Sequence, residues 1–152
     1  MQQLKILRKK EVKQILSKLK EQWDFSKPLN YTFLKSHKDK IYLITNDISK
    51  IDLSKLRIDK IGLYFCTIVN QKEIRLSIEG SQLIGLYCNK NILELNESEM
   101  KQWLQGFDLD KESSVKGFAL IKHNKDFIGT GKVTEGKILN YIPKARRIKV
   151  SL

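Results

Sequence analysis

The sequence predicts an α+β protein: an N-terminal α/β part over residues 1–87, then a small β-barrel with one short helix over residues 88–152. Three observations carry this. Val12, Ile15, Leu16, Leu19 and Trp23 recur at helical spacing and make one apolar stripe. The run Ile61-Gly-Leu-Tyr-Phe-Cys-Thr-Ile-Val is apolar on both faces, as a strand inside a sheet must be. Beyond residue 117, short β-rich runs follow one another between turns, the rhythm of a small barrel or closed sheet.

The first helix is expected from about Leu4 to Gln22, ending before Ser26-Lys27-Pro28 because proline disfavours helical geometry in the residue before it. Its Lys9, Lys10, Lys13 and Lys20 lie off the apolar stripe, as a solvated or a binding face. Tyr31-Thr-Phe-Leu-Lys and Lys40-Ile-Tyr-Leu-Ile-Thr are aromatic and β-branched, and His37-Lys38-Asp39 joins them as a hairpin turn. Asn46-Asp47 can cap a short helix or turn running through Ile51. Asn70-Gln71-Lys72 turns the chain into a strand, Glu73-Ile-Arg-Leu-Ser. Residues Ile78 to Leu86 suit a short helix, weakened by two glycines.

In the second half, Ile92-Leu-Glu-Leu reads as a strand. Asn96-Glu-Ser-Glu99 resembles a capping box, a short polar side chain at the cap with an acid three residues on. Met100, Trp103 and Leu104 form the buried face of the helix that follows. Gly106 stands where a left-handed terminal residue is wanted, and Phe107-Asp-Leu-Asp leads into a polar loop. Strands are then expected at Gly117-Phe-Ala-Leu-Ile-Lys, Asp126-Phe-Ile-Gly-Thr-Gly-Lys, Lys137-Ile-Leu-Asn-Tyr-Ile and Arg147-Ile-Lys-Val. Gly129-Thr-Gly131 lies inside this strand-rich stretch, where glycines mark a bend or close packing more readily than a phosphate site.

The 152 residues, 41% of them hydrophobic, suffice for one compact domain or two small ones. There are 29 Lys+Arg against 17 Asp+Glu, a net charge of +12. The excess is shared: +8 over residues 1–88 and +4 over 89–152. Such a surface suits a polyanion, and nucleic acid is the commonest in a cytosol. A general lysine-rich bias, 24 Lys to 5 Arg, is the competing explanation. No apolar run reaches the roughly 18 residues that would cross a bilayer. The N-terminus lacks the apolar core and cleavage site of a signal peptide. A cytoplasmic protein without membrane contact is expected.

Little points to catalysis. Cys66 and Cys88 sit in apolar runs and read as small buried hydrophobes. With His37 and His123 they have no metal-ligand spacing. No Walker or Rossmann glycine loop and no Ser/His/Asp set is identifiable. Glu97 and Glu99 sit at a helix start, where they offset the dipole. No metal, no cofactor and no catalytic residue is expected, and the chain is read as a non-enzyme.

The C-terminal stretch says more. Lys132, Lys137, Lys144, Arg146, Arg147 and Lys149 face a single acid, Glu135, with Asn140 and Tyr141 interleaved. Lysine and arginine neutralise phosphates, while Asn and Tyr can hydrogen-bond to or stack on an unpaired base. Pro143 fixes the direction of the basic residues after it. A soluble basic edge, with Tyr141 and Ile142 in the core, is the plainer alternative.

The run from Gly117 through Asp126-Phe-Ile-Gly-Thr-Gly-Lys to Gly136-Lys-Ile-Leu-Asn-Tyr-Ile-Pro-Lys-Ala-Arg-Arg resembles the C-terminal half of a PUA domain, the RNA-binding module of pseudouridine synthases and archaeosine transglycosylases. Ile92 to Gly106, with Phe107-Asp-Leu, resembles its first half. The likeness is greatest to the PUA-like tail of the Sun/Fmu family of rRNA cytosine methyltransferases, and to short archaeal ribosome-biogenesis proteins with an N-terminal pre-PUA domain. It covers residues 88–152; for 1–87 it rests on domain order and length. Those enzymes use a Rossmann domain and a cysteine following a proline. Neither Cys66 nor Cys88 follows a proline.

The resemblance implies a pre-PUA-like domain followed by a PUA-like domain that binds structured RNA, rRNA or tRNA, as an accessory in ribosome biogenesis or RNA modification. The expected contacts are Lys132, Lys137, Asn140, Tyr141, Lys144, Arg146 and Arg147, with Lys116, Lys122 and Lys125 as further phosphate contacts. Gly106 is expected to let RNA approach closely. All of this requires the cations of the tail to converge outward on a rigid β scaffold. The alternative is an adaptor docking on an RNA-modifying enzyme or a ribosome assembly factor through an apolar patch of the N-terminal half.

Overall fold

The computed structural model describes residues 4–46 and 62–149; the turn expected at residues 47–51 lies outside them. Helix α1 spans Lys9–Trp23, starting later than the periodicity suggests. The Glu11 carboxylate accepts the Arg8 backbone N–H at 3.1 Å and so fixes the first turn there. The residues before it pair instead: β1 (Lys5–Ile6) runs antiparallel to β2 (Thr32–Lys35), with Lys5 opposite Lys35. The helix expected from Leu4 is thus corrected to a strand followed by a cap.

The hairpin partner β3 (Lys40–Ile44), then β4 (Leu63–Val69) and β5 (Glu73–Leu76), complete an antiparallel sheet in the order β1-β2-β3-β4-β5. The doubly apolar β4 is interior, as expected. Helix α1 buries Ile15, Leu19 and Trp23 against Phe33, Ile41, Phe65 and Ile74 on one face of this sheet. Gln22 fastens helix to strand: its amide donates to the Ile74 carbonyl at 2.9 Å and accepts the Ile74 N–H at 2.7 Å.

The second sheet holds β6 (Ile92–Glu94), β7 (Leu109–Asp110), β8 (Gly117–His123), β9 (Asp126–Thr134) and β10 (Lys137–Asn140). Its order is β6-β8-β9-β10-β7, with β6 parallel to β8 and the rest antiparallel, curled into a half-barrel. A short helix between Ile92 and Gly106 fills the curl. It spans Glu97–Leu104 and is capped reciprocally: Asn96 Oδ1 accepts the Glu99 N–H at 2.8 Å and Glu99 Oε1 accepts the Asn96 N–H at 2.9 Å. Its Trp103 is fully buried among Leu95, Leu109, Ala119, Ile121 and Ile138, and donates its indole N–H to the Ile128 carbonyl at 3.1 Å. Gly131 exists for this ring, since a Cβ there would stand 2.6 Å from the indole.

Two sequence expectations change here. Leu109–Asp110, expected in a loop, pairs with β10 as an edge strand. Arg147-Ile-Lys, expected in a strand, pairs with none among the described residues. Pro143 instead leads into a 3-10 turn at Lys144–Arg146, and the Ile148 N–H returns to the Leu104 carbonyl at 2.9 Å.

Helix α2 (Ile78–Ile84) is wedged between the sheets. Gly80 within it and Gly85 just after it, weak for a helix, are demanded by packing: a Cβ on Gly80 would stand 2.2 Å from the Phe65 carbonyl oxygen, and one on Gly85 2.4 Å from the Phe127 ring. Phe118, Leu120 and Phe127 of the second sheet therefore join the core of the first. The Thr130 hydroxyl crosses the seam to the Leu76 carbonyl at 3.0 Å. No helix among the described residues is long and apolar enough to cross a membrane.

Candidate nucleic-acid interface

The geometry of the tail follows from Asn140, where β10 ends. Both amide hydrogens are used, donating to the carbonyls of Trp103 at 2.8 Å and Phe107 at 3.0 Å, while Oδ1 accepts the Ile142 N–H at 2.8 Å. Its backbone N–H goes to Asp108 at 2.8 Å. The side chain expected to meet RNA is thus spent on joining the short helix to the tail. With Asn140 pinned, Ile142 is buried and Tyr141 turns outward, 39% exposed.

Tyr141 faces the seam. Its ring meets the Phe118 ring edge-on at 5.9 Å between centroids, and the Arg75 guanidinium lies over it at 4.4 Å. Beside it Lys132 reaches over Phe118, 4.7 Å from the ring centre, and pairs with Glu73 at 3.2 Å. Arg146 closes the other side on Glu79 of α2. On the first sheet, Lys40, Thr67 and Arg75 stand directly across three strands. Lys40 lies 5.2 Å from the Tyr64 ring centre, and Tyr64 packs on Tyr42. The result is a shallow cleft of about 180 Å³ between the sheets, walled by Arg75, Tyr141, Arg146 and Lys40 with Gly129 and Pro143. It presents the aromatic side chains of Tyr64 and Tyr141 among cations, an arrangement able to stack a base and neutralise the phosphates beside it.

The expected contacts divide. Lys132, Tyr141 and Arg146 gather at the seam, and exposed Lys144 sits on the same 3-10 turn as Arg146. Two of these cations are not free, because Glu73 and Glu79 pair with Lys132 and Arg146. Arg147 turns inward: its Nε–H donates to the Ile142 carbonyl at 3.0 Å, and its side chain lies on Gly106. Gly106 has φ +94, and a Cβ there would stand 2.4 Å from Arg147 Cδ. The close approach expected of RNA at this glycine is made by Arg147.

Lys116 and Lys137 are exposed at the Val133 end of the sheet, away from the Lys122 and Lys125 hairpin. Lys122 lies over the Phe127 ring at 5.5 Å, and Lys125 is exposed at the hairpin tip. Lys122, opposite Phe127, therefore stands roughly 16 Å from Lys132, about five strand residues along, and Lys125 lies farther out. What the sequence reading missed is Arg75 with Lys40 and Tyr64. The alternation of Ile74 and Leu76 signals that Arg75 points out, but not that it meets Tyr141.

Elsewhere the chemistry is quiet. Both cysteines are buried. Burial pushes the Cys66 thiol far up, and burial with the nearby Asp24 charge pushes Cys88 up to about 12. His123 is held through Nδ1 to the Leu95 carbonyl at 2.8 Å. No three His, Cys, Asp or Glu side chains gather as metal ligands among the described residues.

A mixed half-barrel closed over a tryptophan-bearing helix makes the C-terminal half a PUA-like domain. Residues 90–148 match the family model described as the methyltransferase RsmF PUA domain, so this domain resembles the tail of the Sun/Fmu rRNA methyltransferases. Over 136 residues the chain is 24% identical to the ribosomal RNA small subunit methyltransferase F of Vibrio vulnificus strain YJ016, and equally to that of strain CMCP6. The alignment takes in 90% of this chain but 28% of those proteins, so most of the first sheet lies within the likeness too.

Proposed function

We propose that this chain grips structured ribosomal RNA at the seam between its two sheets, without itself performing catalysis, as an accessory to ribosome biogenesis or RNA modification. The observation that carries the reading is the Arg75 guanidinium stacked on Tyr141 beside Arg146 and Lys132, in a cleft that a PUA-like domain shares with the preceding sheet. The curated relatives are named for methylating small-subunit rRNA, which favours rRNA over tRNA as the ligand. Phosphate and 2′-hydroxyl contacts supply affinity, and an unpaired base at Tyr141 supplies preference.

The test is fluorescence anisotropy with a labelled small-subunit rRNA hairpin across a salt series, with a tRNA as comparison. Removing one stacking side chain costs ~1–3 kcal/mol, so Tyr141→Ala and Arg75→Ala each weaken binding by about 5- to 150-fold. Affinity falls steeply with salt. No binding at low salt, or wild-type affinity in both folded variants, refutes the proposal.

A second reading, docking on an RNA-modifying enzyme or assembly factor, is favoured by an apolar patch on the N-terminal side. Leu86 is 75% and Tyr87 48% exposed, beside a cleft lined by Phe25, Pro28, Tyr31 and Leu83. Co-purification of a partner that survives nuclease treatment and is lost in Leu86→Ser supports it.

A further inference from the structure

A second concavity lies on the other side of β5. Between α1 and the far end of the first sheet runs a groove of about 640 Å³. From the helix it is lined by Lys10, Lys13 and Lys18, and from the sheet by Lys35 and Lys72. Two acids, Glu11 and Glu73, also line it, but both are engaged: Glu11 by Lys5 and Arg8, Glu73 by Lys132 across the seam. Backbone and side-chain hydrogen bonds from Arg8 and Lys5 hold the Glu11 carboxyl down at about 2, so it stays ionised and paired. Lys18 and Lys35 have local partners in Glu21 and Asp39. Lys10, Lys13 and Lys72 are exposed and have none among the described residues.

The groove's floor decides what fits it. Leu7, Ile15 and Ile74 are only 8%, 5% and 2% exposed. Ile68 beside them is half-buried and leaves part of the floor apolar. No aromatic residue lines the groove, so it offers no stacking platform for a base. What remains is unpaired ammonium groups beside the neutral donors Gln14, Ser17 and Gln71. That is chemistry for a chain of phosphates rather than for stacked bases. The two concavities adjoin, because Glu73 and Ile74 line this groove while Arg75 and Leu76 line the seam cleft.

From this juxtaposition we infer that the groove between α1 and the first sheet is a second, sequence-independent binding site for the sugar-phosphate backbone of the RNA, continuous with the seam across β5. This rests on the proposed function. On it, the seam reads a base and the groove carries the strand that leads away from it.

The experiment uses the full chain and two labelled probes, a small-subunit rRNA hairpin with a single-stranded extension and the same hairpin without it. The triple variant Lys10→Gln, Lys13→Gln, Lys72→Gln removes up to three phosphate contacts. It therefore lowers the log–log salt slope for the extended probe by about 2–3, at 0.7–0.9 per contact, and leaves the bare hairpin nearly unaffected. Circular dichroism confirms that the variant is folded. An unchanged slope on the extended probe, with Tyr141→Ala still defective, overturns this inference and leaves the proposed function standing. Failure of the wild type to bind either probe at low salt overturns both. Binding of poly-L-glutamate that the triple variant abolishes, with an unchanged RNA slope, assigns the groove to an acidic protein segment and also overturns the inference.

Discussion

Replacing Asn140 with Ala separates a residue that holds the fold from one that holds RNA. The side chain makes three hydrogen bonds, to the carbonyls of Trp103 and Phe107 and from the Ile142 N–H. A typical intramolecular hydrogen bond is worth a net ~1 kcal/mol, and an orphaned buried partner costs more. The Phe107 carbonyl lies beside an exposed residue and regains water, so its loss counts for little. The Trp103 carbonyl and the Ile142 N–H are half-buried and count in full. The loss of stability comes to about 2–3 kcal/mol, and in a chain of this size the melting temperature falls by roughly 4–12 °C. Asn140→Asp keeps the acceptor, removes both donors and sets a charge against two carbonyl oxygens, so it is no milder than Ala. Urea denaturation and a thermal melt measure both variants, with RNA affinity measured well below the transition. If Asn140→Ala melts with the wild type while RNA binding collapses, the side chain contacts RNA and the hydrogen-bond reasoning is wrong.

Gly85→Ala places a methyl group 2.4 Å from the Phe127 ring, itself buried between the sheets. Overpacking costs ~1–3 kcal/mol, read as a lower urea midpoint; a wild-type midpoint would mean the seam is loosely packed. The carboxyl of Glu11 titrates far below an ordinary glutamate, so its contribution is complete above about pH 4.5 and is lost as pH falls toward about 2. Glu11→Gln accordingly flattens the acid limb of the stability profile, and a profile identical to the wild type contradicts the assignment. Glu79→Gln frees Arg146 and tightens RNA binding by up to about fivefold, the worth of an exposed ion pair; weaker binding would show that Arg146 acts only when Glu79 positions it.

The elements legible in the sequence were those whose signal is local. The capping box at Asn96 and Glu99 forms as spelled, and Gly106 takes the left-handed conformation expected after a helix. The alternating runs became β2, β3, β8, β9 and β10. What failed was decided by partners far along the chain. Leu4 to Leu7 continue the helical hydrophobic pattern, yet the edge of β2 claims them as β1. Leu109–Asp110 carries no strand signal of its own and pairs because β10 presents a free edge. The site divided in the same way. The outward turn of Tyr141 follows from strand alternation, but its stacking on Arg75 joins residues 66 positions apart. The hydrogen bonds that use up Asn140 go to the end of a helix and the loop after it, more than thirty residues earlier. Charge composition signals a basic surface without saying which cations the fold leaves unpaired.

The pairing of Lys132 with Glu73 and of Arg146 with Glu79 looks at first like a reason to set both cations aside. Magnitudes argue otherwise. The partners are about a third to a half exposed, and ion pairs at such sites contribute ~0–1 kcal/mol because water and salt screen them. A phosphate arriving at either cation has to offset no more than that, and it also releases counterions condensed on the RNA. Both acids come from the segment that bridges the sheets, β5 and the first turn of α2, and the same segment supplies Arg75. A PUA-like domain separated from the first sheet would keep Lys132, Tyr141 and Arg146 but lose Arg75 and Lys40 on the facing wall. The dependence of the site on the preceding residues is therefore physical, because the cleft has one wall in each sheet.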